Sequence, residues 1–196
     1  MRRTQEERSQ STRAALMAAG RELFAERGYQ AVPADEIVRA AGVTRGALYH
    51  HYGDKQGLFR AVFEQVELEV TAEVEAATKD APDLATVLLY ALKAFLDACE
   101  RPECRQISLL DAPAVLGWAA WRELEAEHGL GLIVRLLEDA VEQGLLKPVP
   151  VAALAQLILS AVNEAALMIT YAENPAQARS DAEQVLAMWL IGLLAE

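Results

Sequence analysis

Residues 33–55 read PADEIVRAAGVTRGALYHHYGDK, and this stretch decides the fold. Pro33 carries a fixed φ that suits the first turn of a helix, and Asp35 and Glu36 set negative charge where the helix dipole is positive. Ile37, Val38 and Ala41 fall inward, and Gly42 supplies a stop that tolerates a left-handed backbone. Thr44 is placed to act as the N-cap of a following helix from Arg45 to about Tyr52. Two short helices joined by Gly42-Val43-Thr44 outline a helix-turn-helix, whose second member lies in the major groove of DNA. Leu48 and Tyr52, four apart, pack inward with Val43, which leaves Arg45/Tyr49 and Gly46/His50 as outward pairs. That outward face is cationic or hydrogen-bonding at its start, and Gly46 and Ala47 are too small to hold a duplex away. Arg45 reaches phosphate or guanine, Ala47 a thymine methyl, and Tyr49, His50 and His51 phosphates or base edges. Lys55 opens the next helix beside the same strand.

Helical period extends in both directions from this centre. Upstream, Leu16, Ala19, Gly20, Leu23 and Phe24 recur at i, i+3, i+4, i+7 and i+8, and Gly28 is expected to stop that helix. Downstream, Gly53 and Asp54 break the chain before a stripe of Leu58, Phe59, Val62, Phe63, Val66, Val70 and Val74. A helix from Lys55 to about Ala77 is ~35 Å long at ~1.5 Å per residue and is long enough to join two domains. Four or five further helices are expected, punctuated by Pro82, Pro102, Pro113, Gly129, Pro148 and Pro175. No stretch of alternating β-branched residues competes. The fold class is all-α, with a helix-turn-helix domain over residues 1–54 and a helical body over residues 55–196.

Composition bounds the function. The chain has 196 residues and a formal charge of −11, which taken alone argues against nucleic acid as a partner. The charge is unevenly spread: residues 1–60 hold ten Lys/Arg and seven Asp/Glu, whereas residues 61–196 hold eight and twenty-two. A basic head on an acidic body restores an anionic partner for the head alone. Two cysteines cannot form a disulfide framework, so a reducing cytoplasm is the expected compartment. The opening MRRTQEERSQSTR has no apolar run after its basic residues and does not read as a secretory signal. Leu154–Ala172 is the longest apolar stretch, but Gln156, Ser160, Asn163 and Glu164 interrupt it, so a helix buried in protein is expected and no membrane partner.

The segment ELFAERGYQAVPADEIVRAAGVTRGALYHHYGDKQGLFRAVFE strongly resembles the DNA-binding domain of the TetR, or tetracycline repressor-like, family of transcriptional regulators. The features in common are LFAERGY, DEI, AAGVTRGALYHHYGDK and the LF that follows, across about residues 12–63. The resemblance implies nine or ten helices, a homodimer, a pseudo-palindromic double-stranded operator and a C-terminal pocket for a small-molecule effector. It also implies that Thr44, Tyr49 and Lys55 meet the phosphate backbone and that Arg45, Gly46, Ala47 and His50 lie at or near bases. His51 matches a position that contacts the backbone or supports the helix. Many relatives carry hydroxyl residues where this chain has Val32, Pro33 and Ala34, so no side-chain phosphate contact is assigned there. For the basic arm of Arg2, Arg3, Arg8 and Arg13 two readings stand, contact with DNA or a solvated end.

The body offers chemistry less readily. Tyr90, Phe95, Cys99, Ile107, Leu110, Trp118, Leu137, Asn163, Leu167 and Met168 are the candidates for lining a cavity suited to a drug-sized, largely apolar effector. Trp118 and Trp121, three apart, are either core anchors or ligand contacts. Asn163 and Glu164 are costly in an apolar helix unless they orient a ligand or pair across a subunit interface. Leu154, Leu157, Ile158, Val162 and Trp189 are the candidates for a four-helix interface between two subunits. No cofactor or metal is expected: adjacent His50 and His51 point about 100° apart on a helix, and His128 has no histidine partner at ligand spacing. Cys99 and Cys104 are read as packing residues or as a redox pair around Pro102. The many glutamates read as solvated helix faces, and no catalytic constellation stands out, so an enzyme is not expected. Two rivals to a ligand-responsive repressor remain: an all-α small-molecule-binding protein or enzyme, and an effector-independent architectural DNA-binding protein.

Overall fold

Helical periodicity is realised along nearly the whole chain. In the computed structural model, which describes residues 5–195, α1 (Gln5–Ala31), α2 (Ala34–Ala40), α3 (Arg45–Tyr52) and α4 (Lys55–Thr78) are followed by α5 (Leu84–Cys99). A π-helical turn (Cys104–Asp111) comes next, and then α6 (Ala112–Leu116), α7 (Trp118–Glu127), α8 (Gly129–Glu142), α9 (Val151–Tyr171) and α10 (Pro175–Ile191). Among the described residues the only β pairing is an isolated bridge between Leu146 and Leu194. Among the described residues six α-helices and a π turn thus follow α4, more than the four or five expected. The extra pieces come from residues 104–127, where Pro113 cannot donate a backbone hydrogen bond and Gly117 turns the chain at φ 78°.

Helix boundaries follow from local chemistry. The Asp83 carboxylate accepts from Thr86 N at 2.8 Å and caps α5, and that bond holds its pKa below the ordinary carboxylate value. Asn174 caps α10 through Gln177 N at 3.2 Å, with Pro175 in the first turn. Gly28 does not end α1 as expected. It kinks the helix at φ 74° and ψ 160°, and one more turn follows to Ala31. The kink persists because side chains serve the backbone it disrupts: the Asp111 carboxylate accepts from Tyr29 N at 2.7 Å, and Lys55 Nζ donates to Tyr29 O at 2.9 Å. A Cβ at residue 28 would lie 3.0 Å from Gln106 Nε2 and 3.4 Å from Asp111 Oδ2, so both the dihedral and the space call for glycine.

The chain forms two compact units. One contains the residues up to Val66 together with Pro102–Trp121, and its core is Leu16, Phe24, Val32, Ile37, Leu48, Leu58, Phe59, Phe63 and Ile107. Phe24, Tyr29 and Phe59 meet with ring centroids 5.2–5.7 Å apart, mostly edge to face. The π turn packs along α1 in this unit, with Arg21 and Glu103 paired at 3.4 Å. The second unit contains Glu67–Arg101 and the chain from Arg122 onward, with α9 packed against α5, α8 and α10. Arg179 on α10 pairs with Asp97 (2.5 Å), Glu100 and Glu183 (2.9 Å), tying α10 to α5. Burial opposes that charge, but Glu100, Asp97 and Glu183 outweigh it and hold the guanidinium above the ordinary arginine value.

α9 is long and apolar enough to cross a membrane by length and composition, yet it packs against three helices of its own unit. Its burial is one-sided. Ala155, Ile158, Leu159, Val162, Ala165, Ala166 and Ile169 are buried, while Leu157, Met168 and Tyr171 are 57–72% exposed on the other side. Val185 and Met188 of α10 are likewise 65% and 69% exposed.

Candidate nucleic-acid interface

The turn between α2 and α3 is built from backbone bonds that only this spacing permits. Val43 N donates to Val38 O at 3.0 Å and Gly42 N to Arg39 O at 3.1 Å, with Gly42 at φ 65°. That is a Schellman ending, and it closes α2 at one defined residue. Pro33 stands one position earlier than expected, as the extended residue ahead of α2 rather than in its first turn. Thr44 is extended at φ −87° and ψ 156°, and its Oγ1 accepts from Ala47 N at 3.3 Å, capping α3. Its hydroxyl hydrogen is left to donate outward.

With both ends of the turn fixed, the phase of α3 is fixed too. Leu48 is fully buried, and Tyr52 is half-buried with its hydroxyl donating to Arg13 O at 3.0 Å. The Arg13 guanidinium stands 5.5 Å from the Tyr52 ring centroid, and burial raises the Tyr52 pKa although Arg13 opposes this. Thr44, Arg45, Gly46, Tyr49 and His50 are exposed, and Ala47 and His51 are half-buried beside them. A Cβ on Gly46 would meet nothing closer than Thr44 Oγ1 at 3.8 Å, so the surface there is open to a partner. The His50 and His51 rings meet edge to face at 5.0 Å.

Arg45 is not loose on this face. Its guanidinium donates to Tyr49 OH at 3.3 Å, pairs with Asp35 at 3.2 Å and stands 5.7 Å from the Tyr49 ring centroid. Lys55 is more committed still. Its ammonium donates to Tyr29 O and Val32 O at 2.9 and 3.0 Å and lies 3.8 Å from the Tyr29 ring centroid. Burial lowers the Lys55 pKa, with Asp111 acting in the opposite sense. Two of the three ammonium hydrogens are thereby engaged. Gln56 beside it donates to Val115 O at 2.6 Å, and the Asp54 carboxylate caps the start of α4 through Gly57 N at 2.7 Å. Of the basic arm, Arg2 and Arg3 lie outside the described residues, Arg8 is exposed on α1, and Arg13 is held at Tyr52.

The residues assigned to a pocket fall in both compact units. Ile107 is buried, Leu110 half-buried and Trp118 66% exposed in the first; Cys99 and Leu137 are buried, Phe95, Asn163 and Leu167 half-buried, and Tyr90 and Met168 about half exposed in the second. Trp118 is therefore no core anchor; it meets Trp121 edge to face at 5.3 Å at the surface. The Asn163 amide donates to Glu125 of its own chain at 3.3 Å. Glu125 is 5% exposed, and Arg122 donates to its other oxygen at 2.8 Å. Burial raises the Glu125 pKa, and Arg122 and Asn163 pull it back. A solvated face was expected of the glutamates, and Glu125 departs from it; the sequence signal was an arginine three residues earlier on the same helix. Glu164 is exposed. Cys99 and Cys104 are buried thiols with no disulfide. Among the interface candidates, Leu157 (61%) and Trp189 (36%) are exposed and Leu154 half-buried, whereas Ile158 and Val162 turn into their own unit.

These features have close counterparts. Residues 16–62 match the model of bacterial regulatory proteins of the tetR family, and residues 85–193 match the tetracyclin repressor-like C-terminal domain. A crystal structure of a TetR-family transcriptional regulator from Pectobacterium atrosepticum superposes with a TM-score of 0.83 at 36% identity, over 99% of each chain. The transposon Tn10 TetC protein of Escherichia coli is 29% identical over 143 residues, 73% of this chain and 72% of that one. The transcriptional repressor BepR of Brucella suis is 37% identical over 112 residues, 55% of this chain and 51% of that one.

Proposed function

The chain belongs to the TetR family of helix-turn-helix transcriptional regulators, and from that premise we propose that it is a repressor: a homodimer on a pseudo-palindromic operator, released by a small, largely apolar effector. The observation that carries the reading is the outward face of α3, where Arg45, Gly46, Tyr49 and His50 stand clear above a buried Leu48. Thr44, Tyr49, His51 and the remaining ammonium hydrogen of Lys55 take phosphates and fix register. Arg45, Ala47 and His50 read base edges, with Gly46 allowing close approach. Residues 1–54 serve as the reading head and residues 55–196 as the effector and dimer part, working in the cytoplasm.

The exposed apolar stripe of α9 and α10, with Leu157, Met168, Val185, Met188 and Trp189, meets the same stripe of a second subunit in a four-helix arrangement. Each dimer then offers two α3 helices, one duplex turn of ~34–36 Å apart. An effector among Phe95, Leu137 and Leu167 releases DNA by favouring a tilt of α4 at which that spacing is lost. A coupling of about 1–3 kcal/mol makes such a switch partial, and ~5.5 kcal/mol makes it nearly complete.

Binding selection from random duplexes with the full chain tests the core of this reading. The expected result is a footprint of two inverted half-sites. Sequence-independent binding with a steep salt dependence would replace it with an architectural role. A thermal-shift screen of apolar compounds tests the effector, since a molecule that binds only the folded state raises the melting temperature by mass action.

A further inference from the structure

The guanidinium of Arg45 is clasped from two sides before any DNA arrives. Asp35, in the first turn of α2, pairs with one terminal nitrogen at 3.2 Å, and the Tyr49 hydroxyl accepts from the other at 3.3 Å. Asp35 and Arg45 are both well exposed, so the pair adds little to folding. Its significance lies in where it stands. It bridges the two helices of the helix-turn-helix on the side proposed to face the duplex.

We infer that Asp35 is a specificity-determining residue that reserves Arg45 for a base edge and denies it to phosphate. Charge and donor count distinguish the two targets. A guanidinium has five N–H groups, of which Tyr49 accepts from one, while Asp35 holds the group by charge at 3.2 Å without taking a hydrogen bond. The four left suffice for a guanine edge, whose O6 and N7 are neutral acceptors, with the Asp35 ion pair still in place. A phosphate at the same guanidinium carries a full negative charge within a few ångströms of the carboxylate, and that repulsion is met on every sequence. Sequence-independent binding rests on phosphates, so a carboxylate here weakens it selectively. Asp35 is thus a positioning residue for the Arg45 contact, beyond the dipole complement that its place in α2 already gives it.

The inference rests on Arg45 reading a base, and the test separates the two. With the duplex obtained by selection and a scrambled duplex of equal length, affinities of the full chain are measured over a range of salt. The proteins are the wild type, Asp35→Asn, Asp35→Glu, Arg45→Ala and the Arg45→Ala/Asp35→Asn double variant. Asp35→Asn is expected to tighten binding to the scrambled duplex roughly five- to tenfold while changing operator affinity less than about threefold, with a steeper salt slope on the scrambled duplex. Asp35→Glu should restore the wild-type ratio, and the Asp35→Asn effect should largely vanish when Arg45 is absent. Equal tightening on both duplexes that survives Arg45→Ala overturns the inference, since Asp35 then acts only as a general negative charge. A loss of operator affinity in Asp35→Asn overturns it as well, by making the carboxylate itself a reader of a base. An unchanged sequence preference in Arg45→Ala instead removes the reading on which the inference stands.

Discussion

The turn that carries α3 and the paired helices α9 and α10 are both surfaces proposed to meet another molecule, but their geometry is determined by different means. At α3 each outward residue is fixed by its neighbours in sequence: Gly42 closes α2, Thr44 opens α3, and the phase of four residues between Leu48 and Tyr52 does the rest. At α9 no local rule distinguishes Ile158 from Leu157. One is 6% exposed and the other 61%, because α5, α8 and α10 happen to cover one side. A surface defined by local hydrogen bonds can be read from a short window, whereas one defined by what is left uncovered requires the whole packed unit.

Substitutions at each surface put that contrast at risk. Leu157→Glu combined with Met188→Glu should produce a monomer in sedimentation equilibrium at micromolar concentration and weaken operator binding by more than ~100-fold, since single-site binding loses the avidity of two linked heads. A variant that remains dimeric would move the interface off the stripe. Its buried neighbour gives the control: Ile158→Ala should cost about 2–5 kcal/mol in denaturant unfolding and leave association unchanged. At the helix-turn-helix, Leu48→Ala removes a fully buried side chain beneath the outward face of α3 and should likewise cost about 2–5 kcal/mol. Tyr49→Phe should leave stability unchanged and weaken binding to every duplex alike by ~1 kcal/mol, roughly fivefold; loss confined to one base pair would contradict its assignment to phosphate.

The smallest expected effect concerns Glu125. Its pKa is raised in the folded chain, so the folded state binds the proton more tightly than the unfolded one. Stability from this group is therefore fully present below the unfolded pKa and is lost as pH rises through the folded one. Wild-type stability relative to Glu125→Gln should increase as pH falls through the window just above the ordinary carboxylate value, measured by urea unfolding at a series of pH values. An increase in the opposite direction would mean that Arg122 and Asn163 outweigh burial.

What the sequence disclosed follows the same contrast. The bounds of α3, the Thr44 cap and the burial of Leu48 were legible because each depends on residues at most four positions away. The Asp111 cap on Tyr29 spans 82 positions, and Asp111 has no local mark to set it apart from the other acidic residues. Glu125 is one of 29 acidic residues; Arg122 three positions before it is its one local mark, and its second partner, Asn163, lies on another helix. Trp118 misled in the other direction: large aromatics are usually anchors, yet Gly117 turns the chain just ahead of it and the ring stays at the surface. Position and resemblance mark Lys55 for a phosphate contact at the start of α4, while its bonds to the Tyr29 and Val32 carbonyls depend on a kink that no window predicts.

Because the unit that holds α3 includes Pro102–Trp121, the polypeptide must leave it after Val66 and return some 35 residues later. During synthesis the first three helices emerge well before the segment bearing Ile107 and Asp111 exists, so hydrophobic surface on α1 waits uncovered until the strand of sequence beyond residue 111 is made. An excised head ending near Val66 would inherit that unfinished state permanently, with Tyr29 N lacking its carboxylate and Gly28 lacking the wall that justifies it. Long-range closure of this kind also slows folding relative to a simple three-helix bundle.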